Sequence, residues 1–362
     1  SGPEDGLRVV ELIQECYDGD AREEAAQAWT TRGAASGGGA PALDGRTVAV
    51  TGASGFIGGR VVERLLLDTR ARVRPVVRGF GRVARLSVLP QDRLGFRQAD
   101  LLDADGLRAA FEECDTVVHC AFGSAGDEGA RWAASVEGTA NVLAAARAAG
   151  VRRVVHLSTI DVYDPALTGE LTEDSPARPA DPADREYEQQ KLAAERLVLD
   201  AHGPDLETVV LQPGVVYGPW GGQWTTAQLR RAENDFVALP TGEDGGTCNA
   251  VYVDDLVDAV LLAAHAEAAA GERFLVGNGE PLGWGRFFDA IRSLRSVEGP
   301  VEQVAGDPVP DWELELYRST ARARYDKAEH LLGFTARTPF AEGMELTGQW
   351  AAWARQVPEA RS

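Results

Sequence analysis

A trio of glycines between a strand and a helix constrains this chain more than any other feature of its sequence. The apolar residues 47–50 predict a strand, and Thr51-Gly52-Ala53-Ser54-Gly55-Phe56-Ile57-Gly58 leads into a helical pattern that extends to Leu67. Glycine is required where a turn is tight and where backbone approaches a pyrophosphate closely, and a helix N-terminus offers that anion free N–H groups. The motif therefore predicts a dinucleotide-binding loop, with a structural turn as the alternative.

The following residues alternate between strand and helix patterns, which is typical of a parallel α/β sheet. Strands are predicted at 73–77, 94–98, 116–119, 151–157 and 207–211, and helices at about 107–111, 130–149 and 183–202. Beyond Pro213 the predicted elements are shorter and mixed, at 251–253, 254–265, 274–276 and 284–294. We predict a Rossmann-type doubly wound parallel sheet in residues 46–212 and a smaller mixed domain, mainly substrate-binding, in residues 213–362.

Residues 1–45 have a different pattern from the rest. Apolar residues recur at helical spacing in 7–29, and residues 33–41 are rich in glycine and alanine, as in flexible linkers. We predict an N-terminal appendage and linker. Because residue 1 is not methionine and the only methionine is Met344, we expect the chain to be a fragment.

The chain is strongly acidic, with 56 acidic against 36 basic residues and a formal net charge of −20. This charge repels phosphate backbones and anionic lipid, so we expect no nucleic acid and no membrane as partners. No apolar run approaches the ~20 residues that span a bilayer, and the first residues lack a signal-peptide pattern. We therefore expect a cytoplasmic protein.

The cysteines and histidines do not form ligand patterns. Cys16, Cys114, Cys120 and Cys248 make no Cys-x-x-Cys pair, which predicts reduced thiols rather than disulfides or a zinc site. The five histidines lack the spacing that places two imidazoles on one helical face. We predict no metal.

Tyr187 and Lys191 are a second chemical signal, because a spacing of four places a phenol and an ammonium on one helical face. The chain has only one other lysine, Lys327, so a tyrosine and a lysine are not expected to fall at this spacing by chance. A phenol with a pKa of about 10 is a poor base at neutral pH, and an adjacent ammonium favours the phenolate. The hydroxyls of Ser158 and Thr159 follow a predicted strand, where open α/β sheets bind ligands.

In this order, the motifs resemble the extended short-chain dehydrogenase/reductase family, also called the NAD-dependent epimerase/dehydratase family. The resemblance covers essentially residues 46–355. Besides the glycine motif and the Tyr187/Lys191 pair, it rests on Asp100-Leu101 and on the segments 119–121 (HCA), 138–143 (GTANVL), 213–219 (PGVVYGP), 251–255 (VYVDD) and 325–343.

The resemblance implies a role for each matching residue. It selects Thr159 over Ser158, and implies that Thr159 and Tyr187 hydrogen-bond the substrate oxygen, with Tyr187 transferring the proton. It implies that Lys191 binds the nicotinamide ribose and tunes Tyr187. The implied cofactor-binding residues, besides two arginines discussed below, are Gly52, Ser54, Gly55, Phe56, Ile57, Gly58, Asp100, Leu101, Ala121, Phe122, Gly123, Leu157, Tyr187, Lys191, Pro213, Gly214, Val215 and Val216.

Several residues depart from the family pattern. Ser135 stands where asparagine is usual, and Gln212 where arginine is usual. Val215 and Val216 occupy a position at which relatives that handle nucleotide-diphosphate sugars often carry asparagine, which disfavours a nucleotide-sugar substrate. The 4,6-dehydratases carry an Asp-Glu pair after the catalytic threonine, so dehydration is the least supported chemistry here.

Four residues are candidates for substrate contact. Asp161 stands two residues beyond Thr159, although a solvated or capping carboxylate is an equal alternative. Ser124 follows the implied cofactor loop. Trp220 and Trp224 are weaker candidates, because tryptophans in such a segment more often pack between domains.

Arginine, not a carboxylate, ends the second predicted strand. NAD-selective Rossmann domains usually place an acidic side chain there, where it accepts hydrogen bonds from the ribose 2′-hydroxyl. Arg78 can instead bind a 2′-phosphate, and Arg82 adds a second positive charge. We therefore favour NADP over NAD, with stacking of Arg78 on adenine as the alternative.

The resemblance implies an epimerase, reductase or dehydrogenase that transfers hydride at a carbinol or carbonyl carbon of a small, sugar-like substrate. A non-catalytic NAD(P) sensor or a structural subunit is the alternative, and a homodimer is left open. Residues 3–13 also resemble the C-terminal tail of glucose-fructose oxidoreductase and inositol dehydrogenase relatives. That resemblance would make the chain a fragment of a fused oxidoreductase, whereas a plain surface helix is the alternative.

Overall fold

The computed structural model describes residues 41–179, 186–233, 246–295 and 311–356. Most of the predicted appendage, including the segment 3–13, lies outside the described residues. Within the described ranges, no helix is both long enough and apolar enough to cross a membrane.

Parallel strands form the centre of the fold. The strands are β1 (Thr47–Thr51), β2 (Arg72–Val77), β3 (Arg97–Gln98), β4 (Thr116–His119), β5 (Arg153–Leu157), β6 (Glu170–Leu171), β7 (Glu207–Pro213), β8 (Val215–Tyr217), β9 (Ala250–Tyr252), β10 (Arg273–Val276) and β11 (Arg322–Ala323). Seven of them pair in parallel in the order β10-β7-β5-β4-β1-β2-β3. The order reverses between β1 and β4, so the predicted Rossmann-type sheet is confirmed, with its ligand crevice at that point.

Helices flank both faces of this sheet and also build the region after Pro213. They are α1 (Phe56–Asp68), α2 (Ala84–Ser87), α3 (Ala104–Phe111), α4 (Glu128–Trp132), α5 (Gly138–Ala148), α6 (Glu186–Asp200), α7 (Ala227–Glu233), α8 (Val253–Ala263), α9 (Trp284–Ser293), α10 (Asp311–Arg318) and α11 (Phe340–Gln356). Apolar side chains of α1 and α8 pack on one face, and those of α3, α5 and α6 on the other. Since both faces are covered, every residue of β1, β4 and β5 except Thr47 is buried.

Residues after Pro213 form a second core but also return to the main sheet. The β8–β9 pair, α9 and α11 enclose an aromatic cluster around Trp284, Phe287 and Phe340. β10 pairs with β7 at the edge of the seven-stranded sheet. The predicted substrate region therefore contributes one strand to the dinucleotide-binding sheet.

Two elements differ from their predicted form. The strand predicted at 94–98 is reduced to β3, while Leu94 makes only an isolated bridge to Val73. The helix predicted at 130–149 begins at Glu128 and contains one wide turn, Ala133–Glu137, with π-helical hydrogen bonds. Such a turn shifts the side chains that follow it, and hydrophobic periodicity does not reveal it.

Candidate active site

The glycine loop after β1 packs too closely against neighbouring backbone to admit a side chain at Gly52 or Gly58. Gly52 has a φ of +68°, and a Cβ there would lie 2.7 Å from the amide nitrogen of Ala121. A Cβ on Gly58 would lie 2.3 Å from the carbonyl oxygen of Gly52. Gly55 caps α1 without a side-chain hydrogen bond, so the N–H groups of the first turn receive no side-chain oxygen from that residue. These features fit the pyrophosphate of a dinucleotide.

The end of β2 presents positive charge to solvent. Arg78 and Arg82 are exposed, and neither side chain forms an ion pair within the described part of the chain. The side chain of Gln98 donates to the carbonyl oxygen of Arg78 at 3.1 Å, which ties this turn to β3. Both guanidinium groups can therefore bind an anion from solvent without first breaking an ion pair to a described carboxylate.

The loop after β4 is held by a residue whose role the sequence did not reveal. The hydroxyl oxygen of Ser135 accepts from the amide of Gly123 at 3.1 Å, and Ser135 lies in the wide helical turn. The amide of Asn141 donates to the carbonyl oxygen of Leu101 at 2.9 Å. The departure from asparagine at position 135 was visible in the sequence, but this hydrogen bond depends on the π-helical turn.

Lys191 lies beneath the end of β5, on the same face of α6 as Tyr187. Its Nζ donates to the carbonyl oxygen of Leu157 at 2.9 Å and lies 5.0 Å from the ring centre of Phe122. The rings of Phe122 and Tyr187 meet edge to face with centres 5.2 Å apart. Phe122 therefore bridges the lysine and the tyrosine, and all of these residues come from the sequence prediction.

Burial lowers the pKa of Lys191. Its side chain is enclosed, and burial lowers its pKa from 10.5 to about 8, against the opposing effect of Cys120, Glu195 and Asp161. Burial also raises the pKa of the Cys120 thiol to about 12, so that thiol stays neutral. At neutral pH Lys191 is therefore mainly a cation, and a cation favours the ionised form of a nearby phenol.

A cavity opens beside these groups. Thr159, Asp161 and Tyr187 all line it, as do Gly214 and Val215. The hydroxyl of Thr159 donates to Oδ2 of Asp161 at 3.1 Å and accepts from the amide of Asp161 at 3.2 Å. The structure thus places two of the three predicted catalytic residues, Thr159 and Tyr187, on the cavity wall. The third, Lys191, does not line the cavity and donates to the carbonyl oxygen of Leu157.

A buried polar network supports the floor of the site. Gln212 donates to both carboxylate oxygens of Glu195 at 2.9 and 3.0 Å, and Tyr163 donates to Gln212 at 2.8 Å. Ser158 completes the network by donating to Glu195. Burial raises the pKa of Glu195. Glu195 was not predicted, although its position one helical turn beyond Lys191 was a usable signal.

The predicted substrate residues divide between the cavity and other surfaces. Asp161 and Trp224 line the cavity. Ser124 is exposed and does not line it. Trp220 packs instead against Trp350 and Trp353, so the structure does not place it on the cavity wall. Trp220 thus packs on the surface of α11 rather than against substrate space.

The described residues contain no group of three or more histidine, cysteine or carboxylate side chains that could hold a metal ion. The predicted catalytic side chains are a phenol, an ammonium and a hydroxyl. These groups can bind and protonate a substrate oxygen.

The fold and this arrangement define a dinucleotide-dependent enzyme on a Rossmann-type sheet. The sequence model of the NAD-dependent epimerase/dehydratase family matches residues 48–277, and the chain belongs to that family. The predicted family resemblance is therefore confirmed. Its relatives are epimerases, reductases and dehydrogenases, so the chain is an NAD(P)-dependent enzyme of the extended short-chain type.

Individual relatives differ in reaction. The chain is 32% identical to a UDP-glucose 4-epimerase of Mycolicibacterium smegmatis, over 82% of this chain and 96% of that protein. It is 29% identical to a 2-alkyl-3-oxoalkanoate reductase of Shewanella oneidensis, over 70% of this chain and 67% of that protein. The solved UDP-glucose 4-epimerase of Thermotoga maritima with UDP-glucose has a TM-score of 0.71 at 21% identity, over 85% of this chain and 99% of that chain. This last likeness concerns the fold alone.

Proposed function

We propose that this protein is an NADP-dependent epimerase or reductase/dehydrogenase that acts at a carbinol or carbonyl carbon of a small, sugar-like molecule. The observation that supports this proposal most directly is the convergence of Thr159, Tyr187 and Lys191 beside a cavity at the sheet's ligand-binding edge. A bound nicotinamide would supply or accept the hydride.

The chain's own residues would handle the oxygen and its proton. Thr159 and Tyr187 line the cavity, where their hydroxyls can hydrogen-bond one substrate oxygen. Tyr187 would donate the proton to that oxygen in reduction and accept it in oxidation. Lys191 would stabilise the phenolate, and its ammonium can also donate to a ribose hydroxyl.

Substrate turnover tests this function. The purified protein, loaded with NADP, is mixed with a panel of sugars and cyclitols, and both reduced nicotinamide and product stereochemistry are measured. Conversion with net cofactor reduction would identify a dehydrogenase, and inversion without net reduction an epimerase. If no member of a broad panel of such carbinols or of the matching ketones with NADPH is converted, the proposed function is wrong.

We predict that Arg78→Ala weakens NADP binding at least tenfold and changes NAD binding little. Charge-assisted hydrogen bonds to phosphate are about twice as strong as neutral ones, and Arg78 is exposed and free of an ion pair among the described residues. Calorimetric titration of both cofactors measures this. Arg97→Ala, an exposed arginine on β3, is the control. If wild type bound NADP and NAD equally well, or if Arg78→Ala weakened binding of both cofactors to the same extent, Arg78 would not recognise the 2′-phosphate.

A further inference from the structure

The cavity beside Thr159 and Tyr187 has an acidic lining. Among the described residues that line it, Arg178 is the single cation, whereas Asp161, Asp164, Glu188 and Glu315 all carry carboxylates. An added phosphate or diphosphate would meet like charges from several directions. Such repulsion is strong where solvent is partly excluded.

Arg178 is already engaged by the protein. Its Nη2 donates to Oε1 of Glu315 at 2.7 Å, and its Nε donates to the carbonyl oxygen of Asp161 at 3.1 Å. The side chain of Arg178 is 7% exposed, whereas that of Glu315 is 45% exposed. A phosphate that bound Arg178 would have to displace Glu315 and leave this carboxylate beside the other acidic groups.

The nearby cations Lys191 and Arg318 do not line the cavity. Lys191 is buried, and its Nζ donates to the carbonyl oxygen of Leu157. Arg318 is exposed and lines a neighbouring groove with residues 165–168, outside the cavity itself.

The remaining lining suits a neutral molecule with hydroxyl groups. The indoles of Trp224 and Trp312 and the side chains of Ile160 and Leu316 offer apolar surface. Ionised carboxylates only accept hydrogen bonds, which substrate hydroxyls donate. Apolar walls with a few polar groups that fix orientation are typical of small-molecule sites.

We propose that the substrate is an uncharged, hydroxylated molecule without phosphate, of the sugar, cyclitol or glycoside class. The Arg178–Glu315 ion pair disfavours binding of phosphorylated and nucleoside-diphosphate analogues, because the guanidinium that would bind their phosphate is already paired with Glu315. This proposal rests on the proposed function for the place of the reacting carbon and adds the charge class of the substrate.

The test measures UDP and UDP-glucose binding to NADP-saturated protein by calorimetry. Wild type is expected to show no saturable binding up to about 1 mM, the range of very weak ligands. Glu315→Gln removes the competing carboxylate, so we expect its affinity for UDP to be at least tenfold higher. Glu112→Gln, an exposed glutamate paired with Arg108, is the matched control and should behave as wild type.

Micromolar binding of UDP or UDP-glucose to wild type would overturn the proposal. Loss of that binding in Arg178→Gln or Arg318→Ala would then identify the arginine that binds the diphosphate. Failure of Glu315→Gln to increase UDP affinity would also overturn it, since Glu315 would then not be the excluding group. NADP binding and carbinol conversion are measured without UDP, so a failure of the proposed function is seen separately.

Discussion

Tyr187→Phe is expected to lower turnover by about 10²- to 10⁴-fold, the usual contribution of a positioned acid or base. The substitution removes the hydroxyl and keeps the ring, so the edge-to-face contact with Phe122 can remain. NADP affinity should therefore change little. Single-turnover formation of reduced nicotinamide, together with calorimetric titration of NADP, measures both quantities.

Tyr317→Phe is the control for this variant. Tyr317 is buried in the second core, and its hydroxyl donates to Glu313 at 2.9 Å. Loss of this hydrogen bond should cost stability of about 1 kcal/mol and leave turnover unchanged. Near-normal turnover in Tyr187→Phe would show that Tyr187 does not transfer the proton.

Lys191→Met should abolish most activity while stabilising the cofactor-free protein. Burial lowers the pKa of Lys191 to about 8 from 10.5, which corresponds to a folding cost on the order of 3 kcal/mol when the lysine is charged in both states. Methionine has a similar length and no charge. Part of the gain is offset, because the carbonyl oxygen of Leu157 loses its donor. We expect a rise in unfolding free energy of about 1–2 kcal/mol at pH 7.

The direction of the pKa shift of Lys191 determines how the stability difference changes with pH. Since the folded-state pKa is lowered, the cost of Lys191 is fully present below pH 8 and is relieved as pH rises towards 10.5. The stability difference between Lys191→Met and wild type should therefore shrink over that interval. Denaturant unfolding at several pH values measures it, with Lys327→Met as control because that lysine is partly exposed and paired with Glu272. A Lys191→Met protein less stable than wild type at pH 7 would indicate a structural role.

The part of the site that could be predicted from the sequence is the part with fixed local spacing. The glycine trio must lie between a strand and a helix, and Tyr187 and Lys191 must share a helical face. Thr159 follows β5, whose five residues are all buried. Each of these relations spans a few residues, so local geometry determines it.

The cavity's charge could not be predicted in the same way. Arg178 and Glu315 are 137 positions apart, and only the tertiary fold brings them together. The same limit explains Trp220, whose partners Trp350 and Trp353 belong to the last described helix. Composition showed that the chain is acidic but did not show that its carboxylates gather around a substrate cavity.

The fate of the hydrogen on the reacting carbon tests the account's central claim most directly. A neutral carbinol that wild type converts is prepared with deuterium at that carbon and incubated with NADP-loaded protein, and the product and cofactor are analysed by mass spectrometry. The account predicts that deuterium is retained, on the nicotinamide of a dehydrogenase or on the inverted carbon of an epimerase. Loss of the deuterium to water would contradict hydride transfer and, with it, the roles assigned to Thr159, Tyr187 and Lys191.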